Sequence, residues 1–214
     1  MVSRPGRLVA VVGTATDVGK TWVTANLVRQ LRANGVEVAV RKPVQSYRAD
    51  EFGETDAEVL ALAAGDDPHQ VCPPHRWYAS AMAPPMAAEL LGEPPPLLAQ
   101  LVDEMRWPDP PPSVGFVETV GGIRSPIADD GDSRDLVRAI RPDLILVVAE
   151  ADLGVIDAVR LVVDAVAPAT TIVHLNKFDV GVDIHRRNLA WLRTRDGMQV
   201  DTTIDSLTAR IVRP

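Results

Sequence analysis

The sequence predicts an α/β fold in which helices cover both faces of a doubly wound, mostly parallel sheet. Apolar runs of strand length alternate with segments of helical periodicity, and the joins between most of them are short. The first apolar run ends at a glycine-rich loop that leads directly into a helix. The length of 214 residues, 46% of them hydrophobic, suits a substantial core, so we expect residues 1–214 to form a single domain.

Two strands and two helices are predicted in the first part of the chain. They are strands at 7–12 and 36–40 and helices at 20–34 and 57–64. Both strands are nearly continuous apolar runs, which are typical of parallel strands buried on both faces. Gly35 stops the first helix, and Thr55 with Glu58 forms a capping box that opens the second.

The second part of the chain repeats this alternation. Strands are predicted at 114–118, 143–149 and 170–175, and helices at 97–105, 133–140, 154–165 and 185–193. Prolines concentrate between Pro68 and Pro112, so we expect that stretch to be rich in loops. Ligands of such sheets bind at the carboxyl ends of the strands, which is where the polar clusters of this sequence fall.

The composition argues against several classes of function. The formal net charge is −7 and no basic stripe offsets it, so binding to nucleic acid is not expected. The apolar runs are far shorter than the roughly twenty residues that span a bilayer, so we expect no membrane association. A single cysteine, Cys72, cannot form an internal disulfide and fits the reducing cytoplasm.

The glycine-rich loop has the pattern of a phosphate-binding P-loop. It reads Gly13, five intervening residues, then Gly19, Lys20 and Thr21, one residue longer than the usual pattern. Glycines let backbone N–H groups turn toward phosphate oxygens at the start of the helix. Lys20 is expected to bridge the β- and γ-phosphates of a nucleoside triphosphate, and the Thr21 hydroxyl to bind Mg²⁺.

Three further charged residues lie at the ends of elements on the same edge of the predicted sheet. Glu118 ends an apolar strand, where a buried acid is costly without a cation. Asp56 stands in the first turn of a helix, where the helix dipole alone also favours an acid. We predict that both acids join Thr21 in holding Mg²⁺. Lys42 follows the second strand and is expected to face the γ-phosphate and stabilise developing negative charge.

Together these motifs resemble those of the dethiobiotin synthetase family. The matching segments are the Gly-Thr-x-Thr-Asp-Val-Gly-Lys-Thr loop at 13–21, Lys-Pro-Val-Gln-Ser at 42–46, Thr-Asp at 55–56, and Val-Glu-x-x-Gly-Gly at 117–122. Residues 82–89 are similar to the family's substrate-side loop, and residues 152–154 to its dimer-interface turn. The likeness covers residues 8–176 and then fades.

The resemblance implies an ATP-dependent ligase of biotin biosynthesis. In this family a vicinal diamine, diaminopelargonate, takes up carbon dioxide as a carbamate, and ATP phosphorylates the carbamate oxygen. The second amine then closes a cyclic urea and displaces phosphate. The resemblance further implies bound Mg²⁺ and a homodimer in which the turn around Leu153 and Gly154 completes the partner's substrate site.

The resemblance also assigns roles residue by residue. The residues that would surround the carbamate and the γ-phosphate are Thr16, Lys20 and Lys42. Those that would hold the nucleotide are Asp17, Val18, Gly19, Lys20, Thr21, Trp22, Glu118, Gly121 and Asn176, the last of which would contact the base. Those that would contact the diamine are Ser46, Pro84, Leu153 and Gly154. Pro84 belongs to a proline-rich substrate-side loop at about 66–96.

Three segments depart from the family's pattern. The family's Glu-Gly-Ala-Gly-Gly run reads Glu-Thr-Val-Gly-Gly at 118–122, which keeps the acid and the last two glycines. Asp157 stands where the family often has an asparagine near the substrate carboxylate. An aspartate there would either repel that carboxylate or lie exposed in the first turn of a helix, and both interpretations stay open. Residues 200–214 have no clear match to the family's base-binding region.

A further departure concerns the nucleobase. The segment Asn176-Lys177-Phe178-Asp179, at the end of the predicted strand 170–175, matches the Asn-Lys-x-Asp pattern by which P-loop GTPases read guanine. An aspartate can accept hydrogen bonds from the guanine N1–H and amino group, which adenine does not offer in that arrangement. The sequence therefore leaves two hypotheses, use of GTP and a family-like contact of Asn176 with adenine.

Two other classes of function remain to be weighed. Partition-type ATPases carry an early lysine in the loop, but the position five residues before Lys20 is Ala15, so the sequence disfavours that class. A P-loop enzyme that acts on a different carboxylate or carbamate would keep the same charged residues. Asp157 leaves that second alternative open.

Overall fold

The computed structural model describes residues 4–48, 50 and 53–212. The strands are β1 (Arg7–Gly13), β2 (Val38–Arg41), β3 (Gln45–Ser46), β4 (Trp77–Tyr78), β5 (Val114–Glu118), β6 (Pro126–Ala128), β7 (Gly131–Asp132), β8 (Leu144–Glu150), β9 (Thr171–Asn176) and β10 (Val200–Asp201). The helices are α1 (Lys20–Ala33), α2 (Asp56–Ala64), α3 (Pro68–Val71), α4 (Pro84–Leu91), α5 (Leu98–Glu104), α6 (Ser133–Ile140), α7 (Val155–Val166), α8 (Asp183–Thr194) and α9 (Ile204–Ile211).

Six strands form one sheet in the order β10-β9-β8-β1-β5-β2, and every neighbouring pair is parallel. The P-loop strand β1 therefore lies inside the sheet, between β5 and β8. Because all six strands run in one direction, their carboxyl ends meet at one edge, where the loop after β1 also begins. The short pairs β3–β4 and β6–β7 form two separate small sheets.

The packing of β1 explains why its sequence is apolar throughout. Val9 and Val11 pack into a core that includes residues of α1, α2 and α9, whereas Ala10 and Val12 pack into another with residues of α6, α7 and α8. Successive side chains of a strand point to opposite faces, so a strand covered on both faces needs apolar residues at every position. The predicted α/β fold with helices on both faces is confirmed.

Two predicted helix signals are present in the structure. Gly35 follows α1 with a left-handed φ of 75°, which a glycine adopts without steric cost. The Thr55 hydroxyl accepts from the Glu58 backbone N–H, and the Glu58 carboxylate accepts from the Thr55 N–H at 2.7 Å, which completes the capping box of α2. Over the described ranges, no helix is both long enough and apolar enough to cross a membrane.

The proline-rich stretch has the predicted loops, but it also forms helices within residues 66–96, where none was predicted. It contains α3 and α4 in addition to the predicted α5. Pro68 and Pro84 stand in the first turns of α3 and α4, where the missing N–H costs no hydrogen bond, so these prolines start helices. No element was predicted after residue 193, yet β10 extends the sheet and α9 packs Leu207 and Ile211 into the core shared with α1.

His174 is a buried histidine on β9, as its position in an apolar strand predicted. Only 2% of its surface is exposed, and its Nδ1 atom is buried without a hydrogen-bond partner among the described residues. Burial lowers the pKa of His174 to about 4, and the charge of its cross-strand neighbour Asp201 opposes this shift. The folded protein therefore holds this imidazole neutral across the physiological range.

We expect His174 to make the protein less stable as the pH falls from about 6.5 to about 4. Its pKa is depressed on folding, so the unfolded chain binds the proton first, and protonation favours unfolding. The stability contributed by the neutral His174 is fully present above the ordinary pKa of histidine. At the lower end of this pH range the loss of stability reaches roughly 3 kcal/mol. Urea unfolding at several pH values measures it. The loss should be smaller in His174→Val and unchanged in His69→Gln, which removes an exposed histidine; equal losses in all three proteins would contradict it.

Candidate nucleotide-binding and catalytic site

A cleft of about 740 Å³ opens beside the P-loop, next to the residues that follow β1, β2 and β5. It brings together ten of the residues that the sequence singled out: Thr16, Asp17, Gly19, Lys20, Thr21, Lys42, Ser46, Asp56, Pro84 and Gly121. They come from segments far apart in the chain. The parallel sheet unites them because its strands end on the same edge.

The P-loop presents unoccupied backbone N–H groups at the start of α1. Gly19 caps the helix in the left-handed region, with φ of 91°, and supplies no side-chain cap. The N–H groups of the first turn are therefore open to an anion. A Cβ at Gly19 would lie 2.1 Å from Asn176 Nδ2, so the close approach of β9 also demands glycine here. Asp17 holds a φ of 61°, a strained value for a non-glycine residue, in the same turn.

Lys20 is a buried cation held by carbonyl groups. Its Nζ donates to the carbonyl oxygen of Gly121 at 2.8 Å and to that of Ala15 at 3.4 Å. Burial lowers the pKa of Lys20, and the charge of Glu118 opposes that shift. An ammonium has three donors, so at least one remains for a phosphate oxygen. The cleft thus keeps a desolvated positive charge beside the open N–H groups of the loop.

Lys42, Asp56, Glu118 and Thr21 form a hydrogen-bonded cluster on the other side of the cleft. Lys42 Nζ donates to Glu118 Oε1 at 2.8 Å and to Asp56 Oδ2. Burial alone would lower the pKa of Lys42, but the charges of Asp56 and Glu118 outweigh it and raise that pKa above its usual value. Burial would likewise raise the pKa of Asp56, but Lys42 outweighs it and the pKa is lowered. The lysine and the aspartate are therefore both charged.

The same cluster fits a magnesium ion. Thr21 Oγ1 lies 2.8 Å from Asp56 Oδ1 and 2.8 Å from Glu118 Oε1, although a hydroxyl can donate to only one acceptor at a time. Glu118 Oε2 is buried without a hydrogen-bond partner among the described residues. Oxygen ligands of this kind suit Mg²⁺. The described ranges hold no group of three or more His, Cys, Asp or Glu residues that could bind a metal ion, and this site offers two carboxylates and a hydroxyl instead.

Another wall of the cleft is built by the strand β3 and the proline-rich stretch. Ser46 Oγ donates to the carbonyl oxygen of Met82 at 2.7 Å, and Pro84 begins α4 beside it. Trp77 and Tyr78, in contrast, do not line the cleft. Tyr78 is buried, and Trp77 Nε1 donates to the carbonyl oxygen of Cys72 at 2.8 Å. Both aromatic residues thus anchor the stretch.

Six of the predicted site residues do not line the cleft. They are Val18, Trp22, Glu118, Leu153, Gly154 and Asn176. Glu118 lies buried beneath the cleft, and Asn176 Nδ2 donates to the carbonyl oxygen of Val18 at 2.9 Å on the other side of the loop. Trp22 is 56% exposed in the first turn of α1, and Leu153 is 86% exposed. Gly154 caps α7 with a φ of 88°.

Six polar residues line the cleft without having been predicted as site residues: Gln45, Tyr47, Arg48, Glu54, Thr55 and Ser125. Gln45 and Ser125 make defined contacts there. Gln45 Oε1 accepts from the backbone N–H of Ala57 at 2.9 Å, which ties β3 to the start of α2. Ser125 Oγ accepts from the Gly122 N–H at 2.9 Å, and a Cβ at Gly121 would lie 2.3 Å from this hydroxyl oxygen. Gly121, with φ of 52°, is therefore required by this turn. In the sequence, only the glycine pair before Ser125 could have indicated this turn.

Solved structures share the fold of this chain. The signal recognition particle receptor FtsY from Elizabethkingia anophelis matches with a TM-score of 0.53 and 16% identity, over 96% of this chain and 62% of that one. Chloroplast FtsY from Physcomitrella patens matches with a TM-score of 0.53 and 15% identity, over 99% of this chain and 66% of that one. At these identities the likeness supports the fold alone.

Similarity in sequence is more specific. Residues 7–176 match a protein family described as an AAA domain. The ATP-dependent dethiobiotin synthetase of Mycobacterium marinum is 37% identical over 162 residues, which cover 75% of this chain and 69% of that protein. That of Haloferax mediterranei is 35% identical over 197 residues, which cover 90% of this chain and 82% of that protein. With the P-loop, the buried lysines and the paired acids in one cleft, this chain belongs to the dethiobiotin synthetase family.

Proposed function

We propose that this protein is an ATP-dependent dethiobiotin synthetase, a ligase that carboxylates diaminopelargonate and closes it to a cyclic urea in biotin synthesis. One observation carries the proposal beyond family membership. Two buried lysines, Lys20 and Lys42, line the cleft that Ser46 and Pro84 also line. An anionic nucleophile and an anionic phosphate can approach each other only where such charge neutralises both.

The reaction has three bond-forming steps. One amine nitrogen of the diamine attacks carbon dioxide and, after losing a proton, gives a carbamate. A carbamate oxygen then attacks the γ-phosphorus of ATP, and ADP leaves. Finally the second amine attacks the carbamate carbon and loses a proton, the ring closes, and inorganic phosphate departs. The cleft lowers the barrier by holding the two anions and the diamine in one orientation.

Each group of residues has a part in this reaction. Lys20 and Thr16 hold the γ-phosphate, and Lys42 neutralises the carbamate as it attacks. Ser46 and Pro84 position the diamine. The nucleotide is held by the loop residues Asp17, Val18 and Gly19, by Gly121, by Trp22 and by Asn176. The buried N–H and ammonium donors are in place before the substrates arrive, so little reorganisation opposes the charge that develops.

The cluster of Thr21, Asp56 and Glu118 would hold Mg²⁺. When bound, this ion supplies positive charge to the phosphate oxygens of the nucleotide. The buried Glu118 Oε2, which lacks a partner among the described residues, supports this assignment. Lys42 donates to both carboxylates and holds them in alignment.

We expect Thr21→Val to raise the Mg²⁺ concentration needed for half-maximal activity by about tenfold or more, because the variant lacks the hydroxyl oxygen. Thr21→Ser keeps that oxygen and is the matched control, which should remain near wild type. Removal of Mg²⁺ with EDTA should abolish turnover in all three proteins. Titration of Mg²⁺ in the phosphate-release assay gives the measurement. Equal Mg²⁺ dependence of Val and Ser variants would exclude Thr21 from the metal site.

The proposal also covers the organisation of the enzyme. Residues 1–214 would form one nucleotide-binding domain, with residues 66–96 as its substrate-side wall. The turn at Leu153 and Gly154 would complete the substrate site of a partner in a homodimer, and the exposure of Leu153 supports this, since a large apolar side chain gains from being covered. Asp157, exposed in the first turn of α7, lies outside the cleft. We place the enzyme in the cytoplasm.

The deciding experiment is phosphate release with Mg-ATP and bicarbonate, in the presence and absence of diaminopelargonate. We expect release to require the diamine and to be matched by cyclic urea, detected by mass spectrometry. Hydrolysis that ignores the diamine would overturn the synthetase assignment. It would favour a P-loop enzyme that acts on a different carboxylate or carbamate.

A further inference from the structure

The end of β9 lies against the P-loop. Asn176 Nδ2 donates to the carbonyl oxygen of Val18 at 2.9 Å, and Asn176 is buried. Gly19 follows Val18 and lacks a side chain at the point where the asparagine packs. Asn176 thereby ties the start of the segment Asn176-Lys177-Phe178-Asp179 to the same loop that would hold the phosphates. A nucleotide bound there would carry its base toward this segment.

Asn176 alone cannot choose between the two purines. Its amide nitrogen carries two protons, and one of them is used by Val18. The other can be donated to N7 of a purine, an acceptor that adenine and guanine share. Discrimination must come from a different residue of the segment.

Asp179 is the residue whose chemistry discriminates. Lys177 turns the chain with a left-handed φ of 54°, and beyond it the Asp179 side chain is exposed. The turn is pinned on both sides: Asp179 Oδ1 accepts from the Gly181 N–H at 2.7 Å, and the Asp179 N–H donates to His185 Nδ1 at 3.0 Å. The carboxylate is thus held in place by the backbone.

The basic residues around Asp179 are bound to other acids. Lys177 Nζ lies 3.1 Å from Glu150, and Arg186 and Arg187 both pair with Asp183. Within the described part of the chain, Asp179 has no ion pair. The oxygens of a carboxylate in this position can accept hydrogen bonds from a ligand that offers donors.

We propose that this enzyme uses GTP as a phosphoryl donor, with Asp179 accepting from the N1–H and the 2-amino group of guanine. These two donors lie side by side on guanine, whereas adenine turns the lone pair of N1 to the same position and would be repelled by the carboxylate. The inference rests on the proposed function, because it concerns the base of the nucleotide that drives ring closure. The enzyme would then use GTP in addition to ATP, the nucleotide that appears in the names of its relatives.

The experiment measures kcat/KM for cyclic urea formation with GTP, ATP and ITP, and with XTP for the Asp179→Asn variant. GTP should serve the wild type at least as well as ATP. ITP lacks the 2-amino group and should lose about tenfold relative to GTP. Asp179→Asn should lose about a hundredfold with GTP, keep its activity with ATP, and gain activity with XTP, whose C2 oxygen accepts from the new amide. Asp164→Asn, which removes an exposed acid of α7, is the matched control and should keep the wild-type ratio of GTP to ATP.

Two outcomes would overturn the inference and leave the synthetase function intact. One is a preference of the wild type for ATP over GTP by more than about tenfold, and the other is an unchanged GTP-to-ATP ratio in Asp179→Asn. If neither nucleotide drives ring closure, the proposed function fails, and calorimetric binding of Mg-GTP and Mg-ATP decides the base site separately. Tighter binding of GTP that is lost in Asp179→Asn then supports the inference, and binding that ignores Asp179 overturns it.

Discussion

Replacing Lys20 with methionine is expected to abolish ring closure and to leave the folded protein at least as stable as the wild type. The Lys20 ammonium is buried and donates to two backbone carbonyl oxygens, those of Ala15 and Gly121. Its lowered pKa shows that burial opposes its charged form in the protein without nucleotide. Removing that charge relieves the cost and also removes the cation that would meet the γ-phosphate. We expect kcat/KM to fall by roughly a thousandfold.

Steady-state rates and thermal unfolding, measured on the same preparations, test this prediction. The apparent melting temperature of Lys20→Met should equal or exceed that of the wild type. Arg187→Met, which removes an exposed cation paired only within α8, should change neither activity nor melting temperature. A melting temperature well below that of the wild type would show that Lys20 supports the fold, contrary to our account.

Replacing Lys42 with methionine should destabilise the protein strongly as well as inactivate it. Glu118 is fully buried, and within the described structure Lys42 is the only residue in ion-pair contact with it. Removing one member of a buried ion pair leaves an uncompensated charge, which costs about 3–5 kcal/mol. The loss of Lys42 costs less at Asp56, because 45% of the Asp56 side chain is exposed and water can take the place of the lysine. Chemical denaturation should show this loss of stability for Lys42→Met.

A double-mutant cycle separates the stability role of Lys42 from its catalytic role. Glu118→Gln removes the charge that Lys42→Met leaves behind, so the double variant should regain most of the lost stability. Its activity should stay at the level of Lys42→Met, since both a cation and a metal ligand are missing. Asp56→Asn, the matched control, should restore little stability to Lys42→Met. A double variant as unstable as Lys42→Met would contradict a buried charge pair.

Local sequence patterns were sufficient for five of the six strands of the main sheet and for its principal helices. The near-continuous apolar run of β1, the glycine loop and the repeat of α1 each occupy neighbouring residues, so their signals are local. The charged residues could be found for a related reason. Lys42 and Glu118 follow or end predicted strands, and parallel strands end on one edge of a sheet. Proximity of Lys20, Lys42 and Glu118 could thus be predicted before any distance was known.

Elements that lack a local signal needed the tertiary structure. The two residues of β10 are too few to show a period, and they become a strand only because β9 offers a free edge. The helix α4 begins with prolines, which in the sequence favour a loop. Only its packing in the tertiary structure makes this segment helical. Its first residue, Pro84, then forms part of the cleft wall.

The sequence by itself determined the fold class, the P-loop and the identities of the residues proposed to meet phosphate. The tertiary structure decided how those residues are paired and which of them reach the cleft. Lys42 and Glu118 are 76 positions apart, and only the packing of the sheet brings them to 2.8 Å. The contact of Asn176 with Val18 spans 158 positions. Such pairings depend on burial and on the geometry of long-range packing, which local patterns of residue type do not specify.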